Sequence, residues 1–140
     1  MLSRKTRYAI MAMTALAESY GKGALPMSVI AKNKNIPLRF LEGILLQLKR
    51  AGILESIRGI DGGYALKRAP ETVSLIEILR VTEGSMSYVS CLDCLKKVEC
   101  EFGWNPATCG IRRVFSGVYS TLLHQMETTT LRDLVSPNPQ

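Results

Sequence analysis

The stretch from Pro26 to Gly52 constrains the fold more than any other part of this 140-residue chain. Pro26, a favoured first-turn residue, opens a short helix carrying Ile30 and Ala31. Lys34-Asn35 then reads as a turn, because Asn tolerates the left-handed backbone conformation. A longer helix is predicted from Pro37 to Ala51, with Phe40, Leu41, Ile44, Leu45 and Leu48 spaced to form one inward face and Gly52 as its stop. Two short helices joined by so tight a turn make the helix-turn-helix pattern, whose second member enters the major groove of DNA. Its outward face would carry Leu38, Arg39, Glu42, Gly43, Lys49 and Arg50.

The flanking residues extend the pattern. A first helix is predicted over about Arg4–Tyr20, with Tyr8, Met11, Ala12, Ala15 and Leu16 as one stripe and Ile10, Met13, Ala17 and Tyr20 nearly filling the rest. A helix so apolar around its circumference is buried on most sides. On the other flank, Ile53–Ile57 and Tyr64–Leu66 are short apolar strands around the turn Arg58-Gly59-Ile60-Asp61-Gly62-Gly63, a β-hairpin wing with a basic tip. Helix, helix, helix, hairpin is the winged-helix order. The expected fold class is therefore mainly α, with a winged helix-turn-helix over residues 1–69.

Charge agrees with that placement. Residues 1–68 hold twelve Lys/Arg and four Asp/Glu, a balance of +8, whereas residues 69–140 hold six and eight, a balance of −2. Cations gathered in one half are the electrostatic footprint of a nucleic-acid module. Arg4, Lys5, Arg7, Lys49 and Arg50 are candidates to hold phosphates, which sets register without reading sequence. Arg39 can read guanine bidentately, Glu42 can accept from the cytosine amino group, and Gly43 offers no side chain. Arg58 is the candidate probe of a narrow minor groove, at a tip shaped by Gly59, Gly62 and Gly63. Asp61 in the same wing opposes phosphate, and nothing in the sequence explains it.

Beyond the wing, Ser74-Leu75-Ile76-Glu77 has the form of a capping box opening a connecting helix within residues 70–84. Residues 110–140 hold a long helix from Gly110 to about Glu127, with Ile111, Val114, Phe115, Val118, Leu122 and Met126 on one face, and a short turn from Thr130. That stripe lies in a chain whose core is already built elsewhere. It is expected to pack on a second copy, as in dimers that read paired half-sites.

Between these helices, residues 85–109 contain every cysteine of the chain, spaced C-x2-C-x5-C-x8-C as Cys91, Cys94, Cys100 and Cys109. Thiolates this dense point to a metal, an iron–sulfur cluster or a redox switch. Structural zinc usually pairs two close C-x2-C knuckles, which Cys100 and Cys109 do not form. A thiol–disulfide switch needs only two sulfurs, and Cys91 with Cys94 would serve. With one histidine and no paired-carboxylate or Ser/His/acid constellation, the chain is not expected to be an enzyme.

Arg4, Lys5 and Arg7 before the apolar run through Ala15-Leu16-Ala17 imitate a secretion signal, but Thr14 interrupts the run and an amphipathic helix fits better. No stretch reaches the ~20 apolar residues that cross a bilayer. The expectation is a cytoplasmic, non-membrane setting, where clustered cysteines favour metal or redox chemistry over structural disulfides.

Several of these segments together resemble one family. Arg7-Tyr8-Ala9, Ile30-Ala31, Phe40-Leu41-Glu42, Leu48-Lys49-Arg50-Ala51-Gly52, Arg58-Gly59 with Gly62-Gly63-Tyr64, and Thr130-Leu131-Arg132-Asp133-Leu134 fall in the order seen in the Rrf family of dimeric winged-helix transcriptional regulators. The resemblance covers essentially the whole chain. It implies a homodimer on a double-stranded DNA operator, a long dimerisation helix and, in many members, an iron–sulfur cluster held by three cysteines of one loop. Those three match Cys91, Cys100 and Cys109.

The fourth ligand is where this chain departs from the family. One branch has a histidine three residues after the third cysteine, where Arg112 stands; another has an aspartate just before the first-helix tyrosine, where Arg7 stands. A guanidinium stays protonated and cannot coordinate iron. Cys94 becomes the leading fourth ligand, with Asp93 and Glu99 as oxygen alternatives. His124 lies fifteen residues from Cys109, about 22 Å along a helix. Spacing does not choose between a two-iron and a four-iron cluster. The expected function is a DNA-binding regulator, a repressor, that senses iron–sulfur, redox or nitric oxide status. The alternative is a cluster-free regulator that uses a thiol–disulfide switch or binds a metabolic enzyme through the loop.

Overall fold

The computed structural model describes residues 2–84, 92, 100 and 102–135. Its elements are α1 (Arg4–Glu18), α2 (Met27–Lys34), α3 (Leu38–Arg50), β1 (Leu54–Ile57), β2 (Gly63–Leu66), a 3-10 turn at Pro70–Thr72, α4 (Leu75–Glu83), α5 (Gly110–Thr128) and α6 (Leu131–Val135).

Helix α1 is the centre of the domain and packs on α2, α3, α4, α6 and β2. Its inward residues Ala9, Ala12, Met13, Ala15, Leu16 and Ala17 are buried. The four alanines among them let neighbouring backbones approach closely. Two expectations for this helix need correction. Met11 and Tyr20 are exposed. The helix also ends at Glu18, where the Ser19 hydroxyl bonds back to Ala15 O and Gly21 and Gly23 take positive φ.

Asn35 closes α2 with φ 51° and ψ 49°, the one non-glycine residue at positive φ among those described. Ile36 N–H returns to Ala31 O at 2.9 Å, which satisfies a carbonyl the helix end leaves open. Helix α3 then buries Leu41, Ile44, Leu45 and Leu48, as its spacing predicts. Phe40 does not join them. One residue before Leu41, it stands about 100° round the helix from it and emerges at the rim, 46% exposed.

Strands β1 and β2 pair antiparallel from Leu54↔Leu66 to Ile57↔Gly63. The hairpin is tied to the segment before α2 by two backbone bonds of 2.8 Å between Leu25 and Tyr64. Gly63 is required there: its φ is 149°, and a Cβ would collide with the Leu25 carbonyl.

Ser74 is the N-cap of α4, yet its side chain makes no capping bond, so the predicted capping box does not form. Glu77 is engaged instead by Arg68 at 2.7 Å. The chain returns to the domain through Leu75 N–H to Thr129 O at 2.8 Å and Leu131 N–H to Val73 O at 3.0 Å, with Leu131 fully buried. Helix α5 packs on α4, and none of its residues is buried.

Candidate nucleic-acid interface and cysteine segment

The first turns of α1 and α3 come together on one side of the domain, because the Tyr8 ring meets the Phe40 ring at 6.3 Å between centroids. Arg4 and Arg7 are exposed on α1, and Lys5 is partly exposed. Leu38, Arg39, Glu42 and Gly43 are exposed along α3. A Cβ built on Gly43 meets nothing within 4 Å, so the glycine leaves the helix surface open. At the other end of α3, Arg50 is exposed and Lys49 Nζ donates to Ser56 Oγ at 2.6 Å, which links the helix to the wing.

Arg58 follows β1 directly. Gly59 takes φ 115°, and Gly62 N–H closes the turn on Gly59 O at 3.1 Å. A Cβ at Gly62 would strike the Ile57 carbonyl, so the tip tolerates only glycine there. Ile60 at this tip is fully exposed. Among the described residues, no carboxylate pairs with Arg4, Lys5, Arg7, Arg39, Lys49, Arg50 or Arg58; the ion pairs lie elsewhere, at Lys34–Glu18, Arg68–Glu77, Arg80–Glu127 and Arg132–Glu71. Sequence reasoning missed Tyr8 and Phe40 as parts of this surface. The signal was the adjacent Arg39-Phe40 pair, which was absorbed into a core stripe.

A hydroxyl chain joins the start of α1 to the end of α4. The Ser3 hydroxyl donates to Thr6 Oγ1 at 3.1 Å, Thr6 Oγ1 donates to Thr82 Oγ1 at 2.7 Å, and Thr82 Oγ1 donates to Ile78 O at 3.0 Å. Thr6 and Thr82 are the buried polar residues among those described. Ser3 N–H also donates to Glu83 Oε1 at 2.7 Å. The Thr6 hydroxyl, which can rotate toward the carboxylate, and the Ser3 N–H hold the Glu83 carboxyl below its ordinary value of 4.5. A depressed carboxyl stabilises the fold above its unfolded-state value, and that stability is lost as pH falls through the lowered folded value. The stability gap between wild type and Glu83→Gln, measured by urea unfolding, should therefore be present at neutral pH and shrink on acidification below 4.5. Thr6→Val at neutral pH should remove about 2 kcal/mol, the two neutral hydrogen bonds with Ser3 and Thr82 at unchanged shape.

Two of the four cysteines are described. Cys100 and Cys109 are free thiols and partly buried. Gly103 N–H bonds to Cys100 O at 2.9 Å, Ala107 N–H to Asn105 Oδ1 at 2.9 Å and Thr108 N–H to Asn105 O at 3.2 Å, so residues 102–108 are held by turns. That run delivers Cys109 as the N-cap of α5, with no side-chain capping bond on its sulfur. The positive end of the α5 dipole therefore lies at Cys109. Cys91, Cys94, Asp93 and Glu99 lie outside the described residues, and among the described residues no three His, Cys, Asp or Glu gather as a metal site. Arg112 stands in the first turn of α5 and His124 is exposed further along it. No helix among the described residues is long and apolar enough to cross a membrane.

Three helices, the second and third joined by a tight turn, followed by a hairpin wing and an uncovered basic surface, define a winged helix-turn-helix transcriptional regulator. A family model for Rrf2, described as iron-dependent transcriptional regulators, matches residues 2–137, and the chain belongs to that family. It is similar to an rrf2-like HTH-type transcriptional regulator of Rhodobacter capsulatus, at 37% identity over 97% of this chain and 93% of the relative. Among solved structures it is similar to CymR, the global cysteine regulator of Bacillus subtilis, with a TM-score of 0.80 and 31% identity over 96% of this chain and 95% of the other. IscR of T. potens gives a TM-score of 0.73 and 26% identity over 96% and 85%. These relatives are transcriptional regulators, not enzymes.

Proposed function

We propose that this chain is a homodimeric repressor that binds an operator through α3 and the wing and carries an iron–sulfur cluster on its cysteine segment. The observation that carries the DNA reading is the set of exposed cations on α1, α3 and the wing that no carboxylate neutralises among the described residues. Arg4, Lys5, Arg7, Lys49 and Arg50 hold phosphates, Arg39 and Glu42 face base edges, and Arg58 at the Gly59/Gly62/Gly63 tip reaches the minor groove. A second copy covers the apolar face of α5 and sets the spacing of the two reading helices.

The donor set suits a cluster. Cys100 and Cys109 are free, partly buried thiols on a segment built of turns, and thiolates are the usual protein ligands of iron–sulfur clusters. Cys91, Cys100 and Cys109 would hold it, with Cys94 completing the set. Bound there, a cluster supplies sensitivity to iron supply, oxidants or nitric oxide. The route to DNA is short: the segment leaves α4 at Glu83-Gly84, and Glu83 is bonded to Ser3 at the start of the phosphate-holding helix.

The likeness to CymR favours a second reading, a cluster-free regulator that switches by thiol–disulfide exchange or docks a metabolic enzyme. One preparation separates the two. Anaerobically purified protein should show visible absorbance and iron in proportion to chain, and its DNA affinity should change when the cluster is removed. Colourless, iron-free protein with oxidant-dependent DNA binding supports the second reading. For the DNA surface, Arg7→Ala should weaken binding about equally on all duplexes and lower the slope of log affinity against log salt by about 1. An unchanged slope removes Arg7 from the phosphate set.

A further inference from the structure

Phe40 sits at the rim of α3 with its ring inclined 43° to that of Tyr8. Tyr8 in turn packs against the buried cluster of the domain, so Phe40 has a rigid base. The Arg39 guanidinium carbon lies over the same Phe40 ring, 5.2 Å from its centroid. That distance is within cation–π reach. No described carboxylate competes for Arg39, and Gly43, one turn further along the helix, places no side chain beside it.

A long, free arginine must give up rotamer freedom to make a bidentate contact, whereas one already resting on a ring gives up less. The chain of contacts from core to Tyr8 to Phe40 to Arg39 therefore has a use that neither core packing nor charge alone explains. We infer that Phe40, seated on Tyr8, is a positioning residue that presets the Arg39 guanidinium for bidentate bonding to O6 and N7 of a guanine in the major groove. The inference rests on the reading that α3 enters that groove, and it adds which base is read and what holds the reader in place.

The experiment is selection of the full chain and its variants on a random-sequence duplex library, followed by sequencing. Wild type should enrich a guanine at one position of each half-site, and Arg39→Ala should lose that preference alone. Phe40→Leu should reduce the same preference roughly two- to fivefold, about the size of an exposed cation–π contact. Phe40→Tyr, which keeps the ring, should restore it. Tyr8→Leu, which removes the base under Phe40, should act at the same position. The salt slope on the unselected library should be unchanged in Phe40→Leu, because the substitution alters no cation that holds phosphate.

The positioning role is overturned if Phe40→Leu enriches guanine as well as wild type does, or if Phe40→Tyr is as impaired as Phe40→Leu. If Arg39→Ala instead lowers the salt slope and weakens all sequences alike, Arg39 holds a phosphate and the guanine assignment fails. A wild-type chain that enriches no sequence overturns the DNA-reading function itself, and this inference with it.

Discussion

Val118→Asp should break the proposed homodimer into monomers of 15.5 kDa, read by light scattering across a concentration series. Helix α5 has nineteen residues and none is buried, although Ile111, Val114, Phe115 and Val118 form a continuous apolar strip along it. Val114 and Val118 are 60% and 56% exposed. Gly117 beside Val118 has nothing within 4 Å of where a Cβ would lie, so the strip includes a notch that a second helix can approach. In a two-fold interface each substitution acts twice. Each protomer loses roughly 1.5–3 kcal/mol of valine burial and must also bury an unpaired carboxylate. The domain core is untouched, so helical circular dichroism should be retained. Sequence-specific DNA affinity should fall about 10²- to 10⁴-fold, the avidity of two linked half-site readers, while a single half-site duplex should bind about as before. A variant that remains dimeric places the partner surface elsewhere.

Replacing Cys100 or Cys109 by Ala should abolish the visible absorbance and iron content of anaerobically reconstituted protein. The two sulfurs are partly buried and unpaired, so neither change opens a large cavity or breaks a disulfide, and the far-ultraviolet spectrum should stay native. Loss of colour would then report loss of a ligand rather than loss of fold. Cys94→Ala is the sharper variant for the fourth position, because the places used by two branches of the family carry Arg112 and Arg7. Full colour in Cys94→Ala would move the fourth ligand to Asp93, Glu99 or the partner chain. Iron retained in both Cys100→Ala and Cys109→Ala would remove the cluster assignment altogether. Colourless wild type with stoichiometric zinc would assign the site to structural metal, and metal-free wild type whose mass falls by two hydrogens on mild oxidation would assign it to a disulfide switch.

The winged-helix pattern was legible because it depends on local signals. The spacing of Leu41, Ile44, Leu45 and Leu48 set the buried face of α3. Asn35 marked the left-handed turn before it, Gly59 a positive φ in the wing, and Gly62 and Gly63 positions where a Cβ collides with backbone. Each follows from backbone sterics or helical period within a few residues. The basic half of the chain was readable in the same way, since charge counts need no fold.

What periodicity could not supply was the outcome of competition between neighbours distant in sequence. Phe40 lies at the edge of the α3 stripe, and only the fold reveals what it meets there: the Tyr8 ring from α1, with the Arg39 guanidinium over its face. Glu77 has the spacing of a capping box, and Arg68 takes it. The contact of Ser3 with Glu83, eighty residues apart, follows from the packing of α1 on α4 and has no local signature. The chain's own order therefore determines which helices and which wing form, because those choices are made over three or four residues. Which side chains meet where α1 approaches α3, and how the end of α4 is tied to the start of α1, were decided by the packing of those elements on α1.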